Sequence, residues 1–166
     1  MHGTMGSTPC RIRRSKPRSG RYARGGNTKA PHIVLDTNVL VSGLLSSRGP
    51  PAGILNLIVG GSVIVVLDTR MFDEYSEVLR RKKFAFPEEA VREILAFIRR
   101  EGLFIPPVPV TCMVPDSGDL PFIEVALHAR VPIVTGNIRH FRNSGAMVIT
   151  PAEFLEQYRN GDLSSL

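Results

Sequence analysis

His32-Ile33-Val34-Leu35-Asp36-Thr37-Asn38-Val39-Leu40 decides the fold. Ile33 to Leu35 form a short apolar run, the pattern of a strand buried on both faces in a parallel sheet. The run ends on a carboxylate and passes directly into a helical pattern carrying Val39, Leu40, Val41, Leu44 and Leu45. Thr37 or Asn38 is the expected cap of that helix. Open α/β sheets bind ligands outside the carboxyl ends of their strands. Asp36 is therefore the first candidate for an active site.

Outward from this stretch, strands and helices alternate. Ser46 to Pro51 reads as a turn, and a helix with Ile54, Leu55, Leu57, Ile58 and Val59 follows, stopped by Gly60-Gly61. Val63-Ile64-Val65-Val66-Leu67 is a β-branched strand. A helix from about Arg70 to Lys83 follows, capped by Asp68 or Thr69, with Met71, Phe72, Tyr75, Val78 and Leu79 along one face. Glu74 lies off that face. Pro87-Glu88-Glu89 opens a further helix that ends at Gly102. Leu103 to Val110 is interrupted by Pro106, Pro107 and Pro109, so it is an edge strand at most. Asp116-Ser117-Gly118-Asp119 begins another helix, Pro132 to Thr135 and Met147 to Ile149 read as strands, and Pro151 opens a last helix through Tyr158. This alternation predicts an α/β domain with a mostly parallel sheet covered on both faces.

The charge is unevenly placed. Of 21 Lys and Arg residues, eight lie in residues 1–31, which hold no acid; the rest of the chain carries 13 basic and 15 acidic residues. Residues 1–30 are rich in Gly, Ser, Arg and Pro, lack apolar periodicity and are expected to be a disordered basic extension. The first ten residues read as a solvated leader; the basic run after them reads equally as such a leader and as an arm that neutralises nucleic-acid phosphates. The folded domain is expected over residues 31–160, with a short tail over 161–166. No apolar run approaches the roughly 20 residues of a membrane span, and the arginine-rich start has no apolar segment behind it, so it is not a secretory signal. Cys10 and Cys112 form no motif, and a cytoplasmic protein is expected.

Three acids and one amide fall where strands end or helices begin: Asp36, Glu74, Asp119 and Asn137. In a parallel sheet all strand ends share one edge, so these side chains can meet. Carboxylates sharing a pocket repel each other unless one protonates or a cation intervenes. All-oxygen ligation suits Mg²⁺ or Mn²⁺, and the matching chemistry is hydrolysis of a phosphate ester by metal-activated water. Taken singly, such an acid is more often a helix cap or a solvated group. The combination makes the case.

These residues resemble a PIN domain over about residues 32–150. The matching pieces are Val34 to Leu40, then Glu74-Tyr75-Ser76-Glu77-Val78-Leu79, then Asp116 to Phe122 with Glu124 and Ala126, then Val134-Thr135-Gly136-Asn137. The chain is most similar to the subgroup described as toxin components of bacterial toxin–antitoxin systems. The resemblance implies a three-layer α/β/α sandwich and a Mg²⁺- or Mn²⁺-dependent ribonuclease, often a homodimer and often silenced by an antitoxin protein. Asp36, Glu74 and Asp119 match the acidic metal-ligand positions. Thr135 matches the small hydroxyl residue near the metal, and Asn38 the polar residue that steadies the first loop. Asp116 is a supporting candidate. Many PIN domains carry Asp where this chain has Asn137, which can ligate a metal or orient water but brings no charge.

Arg139 and Arg142 follow Asn137, with two equal readings: contacts to RNA phosphates, or a solvated basic loop. His140 between them is set aside as a ligand because the site is rich in oxygen. His32 and His128 read as structural, and Arg80 to Lys83 as charges at a helix end. Two rivals to the RNA-cleaving reading stand beside it. One is a weakly active PIN-like module that binds RNA or protein, kept alive by Asn137. The other is a phosphohydrolase of the haloacid dehalogenase type with Asp36 as nucleophile; that type calls for a second Asp where Asn38 stands.

Overall fold

The opening strand forms as β2 (His32–Leu35), and Ile33, Val34 and Leu35 are each fully buried. Successive strand residues face opposite sides, so both faces of β2 are covered. A computed structural model describes residues 11–12, 30–111 and 116–162 of the chain. After β2 come α1 (Thr37–Leu45), α2 (Pro50–Val59), β3 (Ile64–Leu67), α3 (Thr69–Leu79), α4 (Glu88–Glu101), β4 (Leu103–Phe104), β5 (Val110–Thr111), α5 (Leu120–Ala129), β6 (Ile133–Val134), β7 (Val148–Ile149) and α6 (Pro151–Asn160). The central sheet has the order β4-β3-β2-β6-β7, and every pairing in it is parallel. This is the expected α/β sandwich. β4 lies at the edge and ends before Pro106, Pro107 and Pro109, which cannot continue a strand's ladder.

The strand order reverses at β2: the chain moves first to β3 and β4, then returns to β6 and β7 on the other side. Ligands of open α/β sheets bind at such a switch point, and Asp36 stands there. Helices hold the sheet through one continuous core. α1 packs on α2 and α2 on α6, α3 packs on α4, and α5 lies against β2, β3 and β6.

Several local expectations change. The cap of α1 is Asp36 itself, one residue before the expected Thr37 or Asn38. Its extended backbone lets Oδ1 accept the Asn38 N–H at 3.2 Å. α3 ends at Leu79 rather than Lys83; a 3₁₀ turn follows over Lys82–Phe84, closing on Ala85 at φ 52°. Arg80 still serves that helix end, donating to the Ser76 carbonyl oxygen at 3.0 Å. α2 begins at Pro50, inside the stretch read as a turn, because proline is favoured in a helix's first turn; Leu45 and Val59 are exposed at the last turns of α1 and α2.

Most of the 1–30 extension lies outside the described residues, as do Cys10, Cys112 and residues 163–166 of the tail. Arg11–Ile12 depart from the expected disorder. They form β1, antiparallel to β5, with Arg11 opposite Thr111 and Ile12 opposite Val110. The reason is the edge backbone of β5, whose open N–H and C=O groups invite a partner strand.

One side chain fixes α3 to the end of β2. Tyr75 is fully buried and its hydroxyl donates to the Leu35 carbonyl oxygen, one residue before Asp36. Tyr75→Phe keeps the ring packing and removes this bond, so denaturant melts are expected to show a loss of about 1–2 kcal/mol. Unchanged stability would show that this bond does not hold the two elements together.

Candidate active site

Asp36 is buried, 8% exposed, and both its oxygens are engaged. Oδ1 takes the Asn38 N–H, and Oδ2 accepts from the Thr135 hydroxyl at 2.5 Å. Thr135 is fully buried just beyond β6, and its Oγ1 accepts the Asn137 N–H at 2.9 Å. One hydroxyl thus joins the ends of two neighbouring strands and the start of the Asn137 turn. Asp36 N–H also donates to the Val134 carbonyl oxygen at 3.0 Å, which fixes the same junction through the backbone.

Glu74 enters from α3. Its Oε1 accepts from the Thr37 hydroxyl at 2.6 Å, and Thr37 is itself buried. Burial pushes the Glu74 carboxyl above its ordinary range. The negative charges of Asp36, Asp119 and Glu77 push the same way, against the Thr37 hydrogen bond.

Asp119 sits where the 3₁₀ turn Ser117–Asp119 meets α5. Asp116 caps that turn by accepting the Gly118 N–H at 2.8 Å, while Asp119 makes no capping bond to α5. Oδ2 of Asp119 is buried without a hydrogen-bond partner. His140 Nδ1 lies 3.3 Å from it, without hydrogen-bonding geometry. Burial raises the Asp119 pKa; Asp116 and Asp36 raise it further, and His140 opposes them.

Asp36, Glu74 and Asp119 therefore feel one another's charge at the carboxyl edge of the sheet, beside Thr135 and Asn137. Asn38 contributes its backbone N–H, its side chain being on an exposed position. Asp116 is exposed and shapes the turn. Arg139 and Arg142 are exposed around the 3₁₀ turn Ile138–Phe141, with no ion pair among the described residues. Thr37 and His140 are additions. Thr37 adjoins Asp36, but nothing in the sequence ties it to a residue 37 positions later. A cavity of about 330 Å³ between the end of α2, the start of β3 and the end of α4 is lined by none of these acids.

The donor set suits a divalent cation. It consists of three carboxylates, one with a buried oxygen lacking a hydrogen-bond partner, and two of them with pKa values raised first by burial and further by neighbouring carboxylates. The fit is one of donor chemistry: among the described residues, no three His, Cys, Asp or Glu side chains form a group that could hold an ion as they stand. No helix among the described residues is long and apolar enough to cross a membrane.

Comparison with known proteins gives three findings. A family model described as PIN domain matches residues 32–139. A protein of Methanocaldococcus jannaschii, described as uncharacterized, is 26% identical over 140 residues, covering 76% of this chain and 90% of that one. Among solved structures, the crystal structure of VapBC2 from Rickettsia felis bound to a DNA fragment from their promoter is similar in fold. Its TM-score is 0.52 at 14% identity, over 72% of this chain and 98% of that one.

The raised pKa values carry a sign. A folded-state carboxyl pKa above the unfolded value means that the folded state binds the proton more readily. The stability it contributes is present below the unfolded pKa and lost as pH rises through the folded pKa. In a chelator, the protein is expected to melt at higher temperature in mildly acidic than in neutral buffer, as far as Glu74 and Asp119 govern the change. Glu74→Gln, which removes one repelling charge, is expected to raise the neutral-pH melting temperature and flatten the pH dependence. A variant that melts lower, with the pH slope intact, would contradict this account.

Proposed function

The chain belongs to the PIN domain family, and from that premise we propose that it is a metal-dependent endoribonuclease, the toxin of a toxin–antitoxin pair. The observation that carries the catalytic reading is the under-compensated acid cluster: Asp36, Glu74 and Asp119 at the switch point, with Asp119 Oδ2 buried and unbonded. The toxin reading draws on fold similarity to VapBC2. An antitoxin protein and a second copy of the chain are the partners it proposes.

Asp36, Glu74 and Asp119 would hold Mg²⁺ or Mn²⁺, with the Asn137 amide oxygen as a neutral fourth donor. Such an ion supplies a nucleophilic water at neutral pH and offsets charge growing on the phosphoryl oxygens. The chain's own groups prepare the site. The Thr135 hydroxyl and Asn38 N–H each occupy one lone pair of Asp36, fixing the carboxylate plane. The Thr37 hydroxyl orients Glu74. One of these three carboxylates would also take up the proton that a water loses as it attacks the phosphodiester. Arg139 and Arg142 present exposed positive charge one turn from Asn137, suited to backbone phosphates of RNA.

Asp36→Asn tests the catalytic proposal. Asn caps a helix as well as Asp does, so the variant should fold, shown by circular dichroism, while Mn²⁺-dependent cleavage of RNA is abolished. Full activity would remove Asp36 from the site. A second reading, a weakly active module that binds RNA or protein, is favoured by Asn137, which leaves the set one charge short. Asn137→Asp restores that charge and is expected to tighten Mn²⁺ binding in calorimetry. Absence of binding in both wild type and Asn137→Asp would support the binding module.

A further inference from the structure

Two carboxylates that the proposed chemistry does not use are buried more deeply than any of the site acids. Asp68 is 1% exposed and Glu124 is 3% exposed. Buried carboxylates persist only when paired and hydrogen-bonded. Here one guanidinium serves both. Arg70 donates from Nε to Asp68 Oδ2 at 2.9 Å and from Nη2 to the same oxygen at 2.5 Å; Nη2 also reaches Glu124 Oε2 at 2.7 Å. The remaining oxygens go to the backbone. Asp68 Oδ1 accepts the Met71 N–H at 3.0 Å, capping α3, and Glu124 Oε1 accepts the Val110 N–H at 3.1 Å, in β5. All four carboxylate oxygens are satisfied.

What this cluster joins is informative. Asp68 and Arg70 lie at the start of α3, the helix that delivers Glu74 one turn after Arg70. Glu124 lies on α5, five residues after Asp119. Val110 lies on the strand that leads, through residues 112–115, to the turn carrying Asp116 and Asp119. A surface ion pair for solubility needs neither burial nor a shared guanidinium, and a plain helix cap needs only Asp68.

We propose that Arg70 is a positioning residue: through Asp68 and Glu124 it sets how far the Glu74-bearing helix stands from the Asp119-bearing turn, and so the affinity of the acid cluster for its metal. The proposal rests on the metal-dependent reading of that cluster. Arg70 touches neither metal nor substrate; it acts through the segments that carry the ligands, as partners behind metal ligands do. Its planar fork keeps Nε and Nη2 together on Asp68 while Nη2 also reaches Glu124, an orientation that a freely rotating ammonium does not fix.

Calorimetric titration of the full chain with Mn²⁺ alone provides the test, with circular dichroism melts in parallel. Arg70→Lys keeps the charge among the two buried acids and loses the fork. Glu124→Gln keeps the shape, removes one buried charge and loosens the hold on α5. In both folded variants Mn²⁺ affinity is expected to fall about tenfold or more, while the RNA-binding affinity in chelator stays as in wild type. Folded variants that bind Mn²⁺ as wild type does would overturn the proposal. If Arg70→Lys does not fold, Glu124→Gln decides; loss of folding in both would make the cluster a support of the fold alone and overturn the proposal as well. A wild type that binds no Mn²⁺ would instead overturn the metal-dependent reading on which the proposal stands.

Discussion

The hydrogen bond from the Thr135 hydroxyl to Asp36 Oδ2 is the constraint on which the site depends. It joins β2 to β6 where the strand order reverses, and it does so through side chains that burial allows no alternative. Thr135 has no exposed surface, so its hydroxyl must find an acceptor inside the protein. Asp36 is the acceptor in reach, and the Asn137 N–H then takes the lone pair that Thr135 has left. Asp36 is thereby fixed in one frame with Thr135, 99 positions later, and with Asn137 beside it, before any ligand arrives. Such pre-organisation is what a site requires if its carboxylates are to be held close against their own repulsion.

Much of the frame was legible in the sequence for a simple reason. Buried parallel strands must be apolar on both faces, so Ile33–Leu35 and Val63–Leu67 stand out without reference to anything else. Once those strands are placed, their carboxyl ends follow, and Asp36 with them. The short strands were harder. β6 and β7 span two residues each, and β4 is cut off by prolines, so pattern alone located them only roughly. The cap of α1 was misread by one residue because Asp, Thr and Asn stand consecutively at positions 36–38, and all three are good caps. The β1–β5 pairing could not be read at all: two residues carry no periodicity, and only the open edge of β5 explains their order.

The site's supporting contacts were less legible than its acids. Thr37 to Glu74 and Arg70 to Glu124 are side-chain bonds spanning 37 and 54 residues. A sequence shows which residues can bond; which of them do is set by the angle at which α3 and α5 cross the sheet. Glu124 was noticed only as part of a resemblance, and Asp68 only as a cap. Its role as a cap is real, and its second oxygen does something further.

The same sheet edge treats its acids in two opposite ways, and that contrast bears on function more than any single distance. Asp68 and Glu124 have every oxygen matched by an internal donor and a full positive charge between them. Asp36 and Glu74 are held by hydroxyls and a backbone N–H, which orient a carboxylate without cancelling its charge, and Asp119 Oδ2 has no hydrogen-bond partner. Among the described residues, the one basic side chain paired with any of them is His140, whose Nδ1 lies 3.3 Å from the Asp119 oxygen that has no hydrogen-bond partner. A fold built for stability alone would pair both sets or replace them with apolar residues, since unpaired buried charge is costly. Here the compensated pair ties the start of α3 to the middle of α5, and the uncompensated trio lies at the switch point. Among the described residues, Arg70 balances the Asp68–Glu124 pair, and no lysine or arginine pairs with Asp36, Glu74 or Asp119.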